Sequence, residues 1–152
     1  MGYIDTNLLE GEQVVYRTNL HWIIYSWTAV WLLFGIWLAA GKNGDGAIGG
    51  FCIFIALIIG ALTYADYKCS EFGVTNKRVM IKVGIIRRVS LETLLIKVEG
   101  IQVDQGLLGR IFNYGTIIVT GTGGTHSPFK RIAAPMDFRK KIQEQISLTA
   151  KA

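Results

Sequence analysis

Few residues in this chain of 152 could do chemistry, and the most suggestive is a glycine-rich run, Gly121-Thr122-Gly123-Gly124, at the end of a β-branched stretch. Such a run after a strand can cradle phosphate. A phosphate loop must then end in Gly-Lys-Ser/Thr and open a helix, because the lysine and the helix amino terminus hold the phosphates. Here Thr125-His126-Ser127-Pro128-Phe129 follows, a turn running into another strand. Nor does any G-x-G-x-x-G open a helix within a βαβ unit. No nucleotide is expected as a partner; Gly121, Gly123 and Gly124 are expected at a hairpin with positive φ, and Gly115 at the turn before a strand.

Nucleophilic catalysis is equally poorly provided for. His126 adjoins Ser127 and Thr125, but neighbours on an extended chain point to opposite faces and make no ready base and nucleophile pair. His21, the other histidine, stands at the edge of an apolar run. H-E-x-x-H, C-x-x-C and G-x-S-x-G are all missing from the sequence. Cys52 lies in an apolar segment and Cys69 beyond it, so neither a disulfide nor a metal site is expected. The expectation is a non-enzymatic protein without cofactor.

The elements that carry these residues are unusual in composition. Hydrophobic residues make up 51% of the chain, and the mean hydropathy is +0.36. Two stretches account for it, Leu20–Ala40 and Ile48–Ala65, neither holding Asp, Glu, Lys or Arg. At a rise of about 1.5 Å per residue each is long enough to cross a hydrocarbon core about 30 Å thick. A cleaved signal peptide fits poorly, since Asp5, Glu10 and Glu12 precede the first stretch against a single Arg17. The rest of the chain is also too small to wrap two helices that are apolar all round.

A two-helix transmembrane hairpin is therefore expected: a leader over 1–19, spans over 20–40 and 48–66, a short extracytoplasmic turn over 41–47, and a domain over 67–152. Residues 67–152 carry fourteen Lys/Arg against six Asp/Glu, whereas residues 1–66 carry two against five. The positive-inside bias then puts both termini in the cytoplasm. All four tryptophans, Trp22, Trp27, Trp31 and Trp37, fall in the first span. Trp22 and Trp37 are near its ends, where indole favours the headgroup layer. Gly35 and Ala39 in the first span, and Cys52, Ala56 and Gly60 in the second, recur at four-residue spacing as candidate faces for close helix packing.

From Cys69 onward, short runs rich in Val, Ile, Leu and Thr alternate with turn residues: 70–74, 78–86, 89–96, 98–103, 116–122 and 127–133. Six such runs predict a meandering antiparallel sheet or barrel. Pro135 then suits a helix start, Asp137 its first turn, and Phe138, Ile142 and Ile146 one face of an amphipathic carboxyl-terminal helix.

Three stretches, "VTNKRVMIKVGIIRR", "KVEGIQVDQGLLGRIFNYGTIIVTGTGGT" and "PFKRIAAPMDFRKKIQ", resemble the bacterial pleckstrin-homology-like family, in the version preceded by a transmembrane hairpin and a leader like that of Leu8 to Trp22. The resemblance covers nearly the whole chain and implies a PH-like barrel or sandwich of about seven strands in two packed sheets, capped by the terminal helix. It further implies homo-oligomers. Between two strands, Leu107-Leu108-Gly109-Arg110-Ile111-Phe112 becomes a short connection whose apolar residues are expected to cover the open end of the barrel, with membrane contact as the alternative.

The function expected is a membrane-anchored binding or scaffold module at the cytoplasmic face of a bacterial inner membrane. Its candidate partners are its own copies, another membrane protein, or anionic lipid. Lys68, Lys77, Arg78, Lys82, Arg87 and Arg88 are the candidate lipid or partner contacts, each worth roughly 1 kcal/mol near an anionic leaflet. A subunit of an oligomeric pore or transporter-associated complex is the alternative, although no Asp, Glu, Lys, Arg or His within Trp22–Ala40 or Ile48–Ala65 marks a pathway. Nucleic acid is not expected despite the basic balance, because most aromatic residues lie in the apolar segments.

Overall fold

A computed structural model describes residues 2–41, 46–84, 89–122 and 126–150, and its chain divides into two compact units, residues 1–21 with 69–152, and residues 22–68. The smaller unit holds the apolar segments. A 3-10 turn, Trp22–Tyr25, leads into helix α2, Ser26–Ala40, and helix α3 runs over Gly46–Cys69. Both helical stretches are long and apolar enough to cross a membrane.

Close approach of these helices depends on residues without side-chain bulk. A Cβ added at Gly49 would fall 2.6 Å from the Ala39 backbone nitrogen, and one at Gly35 would fall 2.8 Å from Ile53 and 3.2 Å from the Cys52 Cβ. Further along, Gly60 faces Thr28. The pairs Ala39 with Gly49, Gly35 with Ile53 and Thr28 with Gly60 run in opposite directions along the two helices, as an antiparallel pair requires. Of the small residues singled out by spacing, Cys52 and Ala56 are buried with Gly35; Gly49 was not among them.

Among the described residues, the larger unit contains seven strands. Sheet one has the order β1 (Val14–Thr18), β2 (Glu71–Thr75), β3 (Arg78–Val83), β4 (Val89–Leu94), and sheet two the order β5 (Val98–Asp104), β6 (Tyr114–Gly121), β7 (His126–Ala133). All neighbours are antiparallel. Six strands lie where the β-type runs put them. The seventh, β1, comes from the segment expected to be a leader outside the domain, and it pairs with β2 in the register Thr18↔Phe72 and Tyr16↔Val74.

Beyond β1 the chain crosses from one sheet to the other. Leu20 bridges Ile132 of β7, His21 N–H donates to the Arg131 carbonyl at 2.7 Å, and Ala133 N–H donates to Asn19. Phe72 and Phe129 meet edge to face between the sheets, with centroids 6.2 Å apart. Val74, Val79, Ile81, Ile117, Val119 and Ile132 complete that core. Helix α5, Pro135–Thr149, has Pro135 at its start, buries Phe138 and Ile142, and sets Phe138 against the Tyr16 ring of β1.

Sheet one is covered on its other face by the first residues of the chain. Helix α1, Tyr3–Thr6, buries Ile4 over Gly73, where an added Cβ would lie 2.6 Å from the Ile4 Cδ1. Met80, opposite Gly73 in register, is fully buried. Glycine at residue 73 thus makes room for the end of the Ile4 side chain, which would have to turn aside for a Cβ. Gly115 is more tightly constrained: Gln105, the Asp104 backbone carbonyl and Pro135 occupy the room a side chain would need. Gly121 closes strand β6 rather than forming the turn, while Gly123 and Gly124 lie outside the described residues.

Candidate functional site

Of the basic residues expected to face a partner, Lys77, Arg78 and Lys82 lie on the β2–β3 hairpin, and these three hold the amino-terminal segment. Lys77, in the turn, donates to the Glu10 carbonyl at 3.0 Å, and the Lys82 ammonium sits 4.5 Å from the centre of the Tyr3 ring. Arg78 is committed further. Its Nε and Nη2 reach the two carboxylate oxygens of Glu12 at 2.9 and 3.0 Å, its Nη1 reaches Glu92 at 2.6 Å, and Nη2 also reaches the Asn7 carbonyl. Lys68, in the last turn of α3, lies over the Tyr64 ring of the same helix. Arg87 and Arg88 lie outside the described residues.

Glu12 is the centre of this clamp. Its side chain is 0% exposed and accepts from Arg78, from the Thr75 hydroxyl at 2.7 Å and from the Leu9 N–H at 2.8 Å. Burial pushes its pKa up, but the Arg78, Leu9 and Thr75 donors outweigh burial and hold the carboxyl below its ordinary value. Nothing local in the sequence points to this pair, because its partners are 66 residues apart.

A different surface has the exposed groups. Helix α4, Leu107–Phe112, follows β5, and Asn113 ends it in the left-handed region at φ 57°. Gly109 alone is buried in it, since the Tyr114 carbonyl occupies the place of a Cβ. Leu107 is 81% exposed, Ile111 73%, Leu108 61% and Phe112 42%. The expectation that these residues cover the end of the barrel is thus wrong. A helix of six residues has room to seat one side, and here a glycine is the residue seated.

Beside α4 lies an open groove of about 490 Å³, bounded by Leu107, Leu108, Tyr114, Thr116, Lys130 and Arg131. Strand β7 makes its basic edge through a bulge. Gly115 pairs with Ile132 and Ile117 with Phe129, so Lys130 and Arg131 together oppose the single residue Thr116. Arg131 adopts φ 60°, a left-handed conformation that a residue with a Cβ holds only at a cost of about 1 kcal/mol or more. Arg110 is exposed on α4 itself, and Asp104 is the acidic residue at the groove.

His21 joins this surface to the start of the apolar segment. Its backbone N–H donates to Arg131, its ring lies 5.4 Å from that of Tyr114, and its side chain donates to the Phe112 carbonyl. Burial lowers its pKa, with the Phe112 hydrogen bond acting in the opposite direction, so the imidazole favours the neutral form. No group of three or more His, Cys, Asp or Glu suited to a metal ion occurs among the described residues.

A family model described as bacterial PH domain matches residues 20–146, which takes in both apolar helices, six of the seven strands and most of α5. Comparison with curated proteins and with solved structures gives no match.

Proposed function

The chain belongs to the bacterial PH domain family, and from that premise we propose that it is a non-enzymatic binding module held at the cytoplasmic face of a bacterial inner membrane by an inserted two-helix hairpin. One observation carries the reading. Strands β1 and β2 are hydrogen-bonded neighbours in one sheet, yet the two apolar helices stand between them in the chain. Neighbouring strands occupy one compartment, so the intervening chain crosses any membrane an even number of times. Two helices of spanning length meet that condition.

The excess of Lys and Arg after the second helix supports the cytoplasmic side. Tethering keeps the domain at high local concentration toward anything else in that membrane, which favours weak self-association or contact with another membrane protein. Helix α5 acts as an amphipathic seal, with Phe138 and Ile142 inward and Lys140 and Gln143 outward. Lys68, Lys77 and Lys82 are the described basic residues offered to an anionic leaflet, although each already has a local contact.

Reporter fusions test the reading in cells. A fluorescent protein should mature at both chain ends, and alkaline phosphatase inserted at residues 42–45 should be active, while cross-linking of full-length protein in membranes gives a discrete ladder. An amino terminus and a carboxyl terminus on opposite sides would exclude the split-domain topology, and a monomer at all densities would exclude self-association.

A further inference from the structure

We propose that helix α4 is a third membrane contact, a monotopic tip that dips into the headgroup layer of the bilayer spanned by the hairpin; this rests on the spanning reading above. The chain itself supplies the proximity. One peptide bond separates His21 from Trp22, where the first apolar segment begins. His21 in turn holds Phe112, Tyr114 and Arg131 by direct contact. Phe112 is the last residue of α4, and the other end of that helix is only about 8 Å away at 1.5 Å per residue. The tip therefore lies at the place where the chain leaves the domain for the apolar helix.

The chemistry fits a bilayer interface better than water. Leu107, Leu108, Ile111 and Phe112 put four large, exposed apolar side chains on one short helix. An interfacial segment buries apolar groups about 5–10 Å into the headgroup and acyl boundary while keeping cations at the phosphates. Arg110, Lys130 and Arg131 supply three cations around the tip against the single carboxylate of Asp104. The bulge that sets Lys130 and Arg131 side by side on the groove, at the cost of a left-handed arginine, adds to this rim. Three attachments, the two ends of the hairpin and this tip, would fix the orientation of the domain, where two adjacent attachments leave a hinge.

The test uses the full chain with Cys52→Ala and Cys69→Ser, carrying an environment-sensitive label through Leu108→Cys, Leu148→Cys or Phe51→Cys. The protein is reconstituted in phosphatidylcholine vesicles with and without phosphatidylglycerol, with spin-labelled lipid as membrane quencher and iodide as aqueous quencher. The label at residue 108 should lose emission to the lipid quencher, as a group seated in the interfacial layer is within its reach, and should lose more in the anionic vesicles. The label at residue 51 should be quenched by lipid, and that at residue 148 only by iodide.

Lipid quenching at residue 51 with none at residue 108, where iodide acts instead, would overturn the tip and leave the hairpin standing. Failure at residue 51 as well would overturn the spanning reading and the tip with it. A label at residue 108 protected from both quenchers would mean that protein, such as a second copy, covers α4, and would also overturn the proposal. Replacing Arg110 and Lys130 by Gln tests the rim without touching the apolar core. The gain in phosphatidylglycerol should disappear, and its persistence would remove these cations from the contact.

Discussion

Glu12 and Arg78 form a buried ion pair, Oε1 to Nε at 2.9 Å, between the segment before the apolar helices and the sheet after them. It converts a leader into part of a domain. Because Glu12 is fully covered, removing its carboxylate leaves the Arg78 guanidinium, itself only 12% exposed, short of an acceptor on its buried side.

Glu12→Ala should therefore destabilise the domain by about 3 kcal/mol, the lower end for breaking a buried pair, since Arg78 retains Glu92. Urea unfolding of the full chain in detergent, followed by far-ultraviolet circular dichroism, measures it. A change below about 0.5 kcal/mol, as at an ordinary surface site, would show that the amino-terminal segment is held by other contacts.

The same pair sets an acid limit. The Glu12 pKa is lower in the folded chain than its ordinary value of 4.5, so the unfolded chain binds more protons in that range. The contribution is complete above about pH 4.5 and is lost as pH falls through the folded value. Stability against pH should consequently fall less steeply below pH 4.5 in Glu12→Gln than in the parent, and identical slopes would argue against the pairing.

Excision of the amino-terminal segment gives a second test of the split domain. A fragment of residues 67–152 lacks β1 and α1, exposes the edge of β2 and uncovers Met80, and should show no cooperative thermal transition. Joining residues 1–21 to 69–152 by a short Gly-Ser linker should restore one, since Thr18 and Phe72 are already cross-strand partners. A cooperative melt in the shorter fragment would make β1 dispensable.

Ile142 is wholly buried under α5 together with Phe138. Ile142→Asp puts an unpaired carboxylate into that contact and should cost at least about 3 kcal/mol, enough to abolish folding of a marginal domain. Retention of a transition near the parent's would sink the role of α5 as a seal.

Two adjacent glycines make a matched test of the hairpin. Gly49 lies against Ala39, whereas nothing lies within 4 Å of a Cβ at Gly50. Gly49→Leu should separate the helices and lower their melting temperature, and Gly50→Leu should leave it unchanged. Every tryptophan lies between residues 22 and 37, so intrinsic tryptophan fluorescence reports this unit alone. Equal effects of the two substitutions would argue against the helix contact.

Much of the architecture was legible because it is encoded in short-range patterns. Six strands announced themselves by β-branched runs bounded by turns, and α5 by Pro135 and the spacing of Phe138 and Ile142. Strand β1 gave no such signal. Val14–Thr18 is five residues long, and its partner β2 begins more than fifty residues later, so no hairpin turn marks it. Charge was misleading for a related reason: a guanidinium paired with a buried carboxylate and one facing solvent read alike, and the companion of Arg78 is far away in sequence. Hydrophobicity likewise marked α4 as apolar without saying which surface its leucines and isoleucine would meet.

The position of the hairpin inside the domain also orders events during synthesis. Strand β1 leaves the ribosome first and has no partner until β2 follows, about 3–10 s later at 5–20 residues per second. On the proposed topology, both apolar helices enter the bilayer in that interval. If they do not, β1 and β2 are separated by exposed apolar chain, Glu12 stays in water, and Arg78 has no buried carboxylate to meet. With the hairpin inserted as proposed, completion of the first sheet would serve as an internal check on insertion: a chain that failed to insert would present an unpaired β2 edge and loose amino-terminal residues, the kind of exposed segment at which proteolysis concentrates.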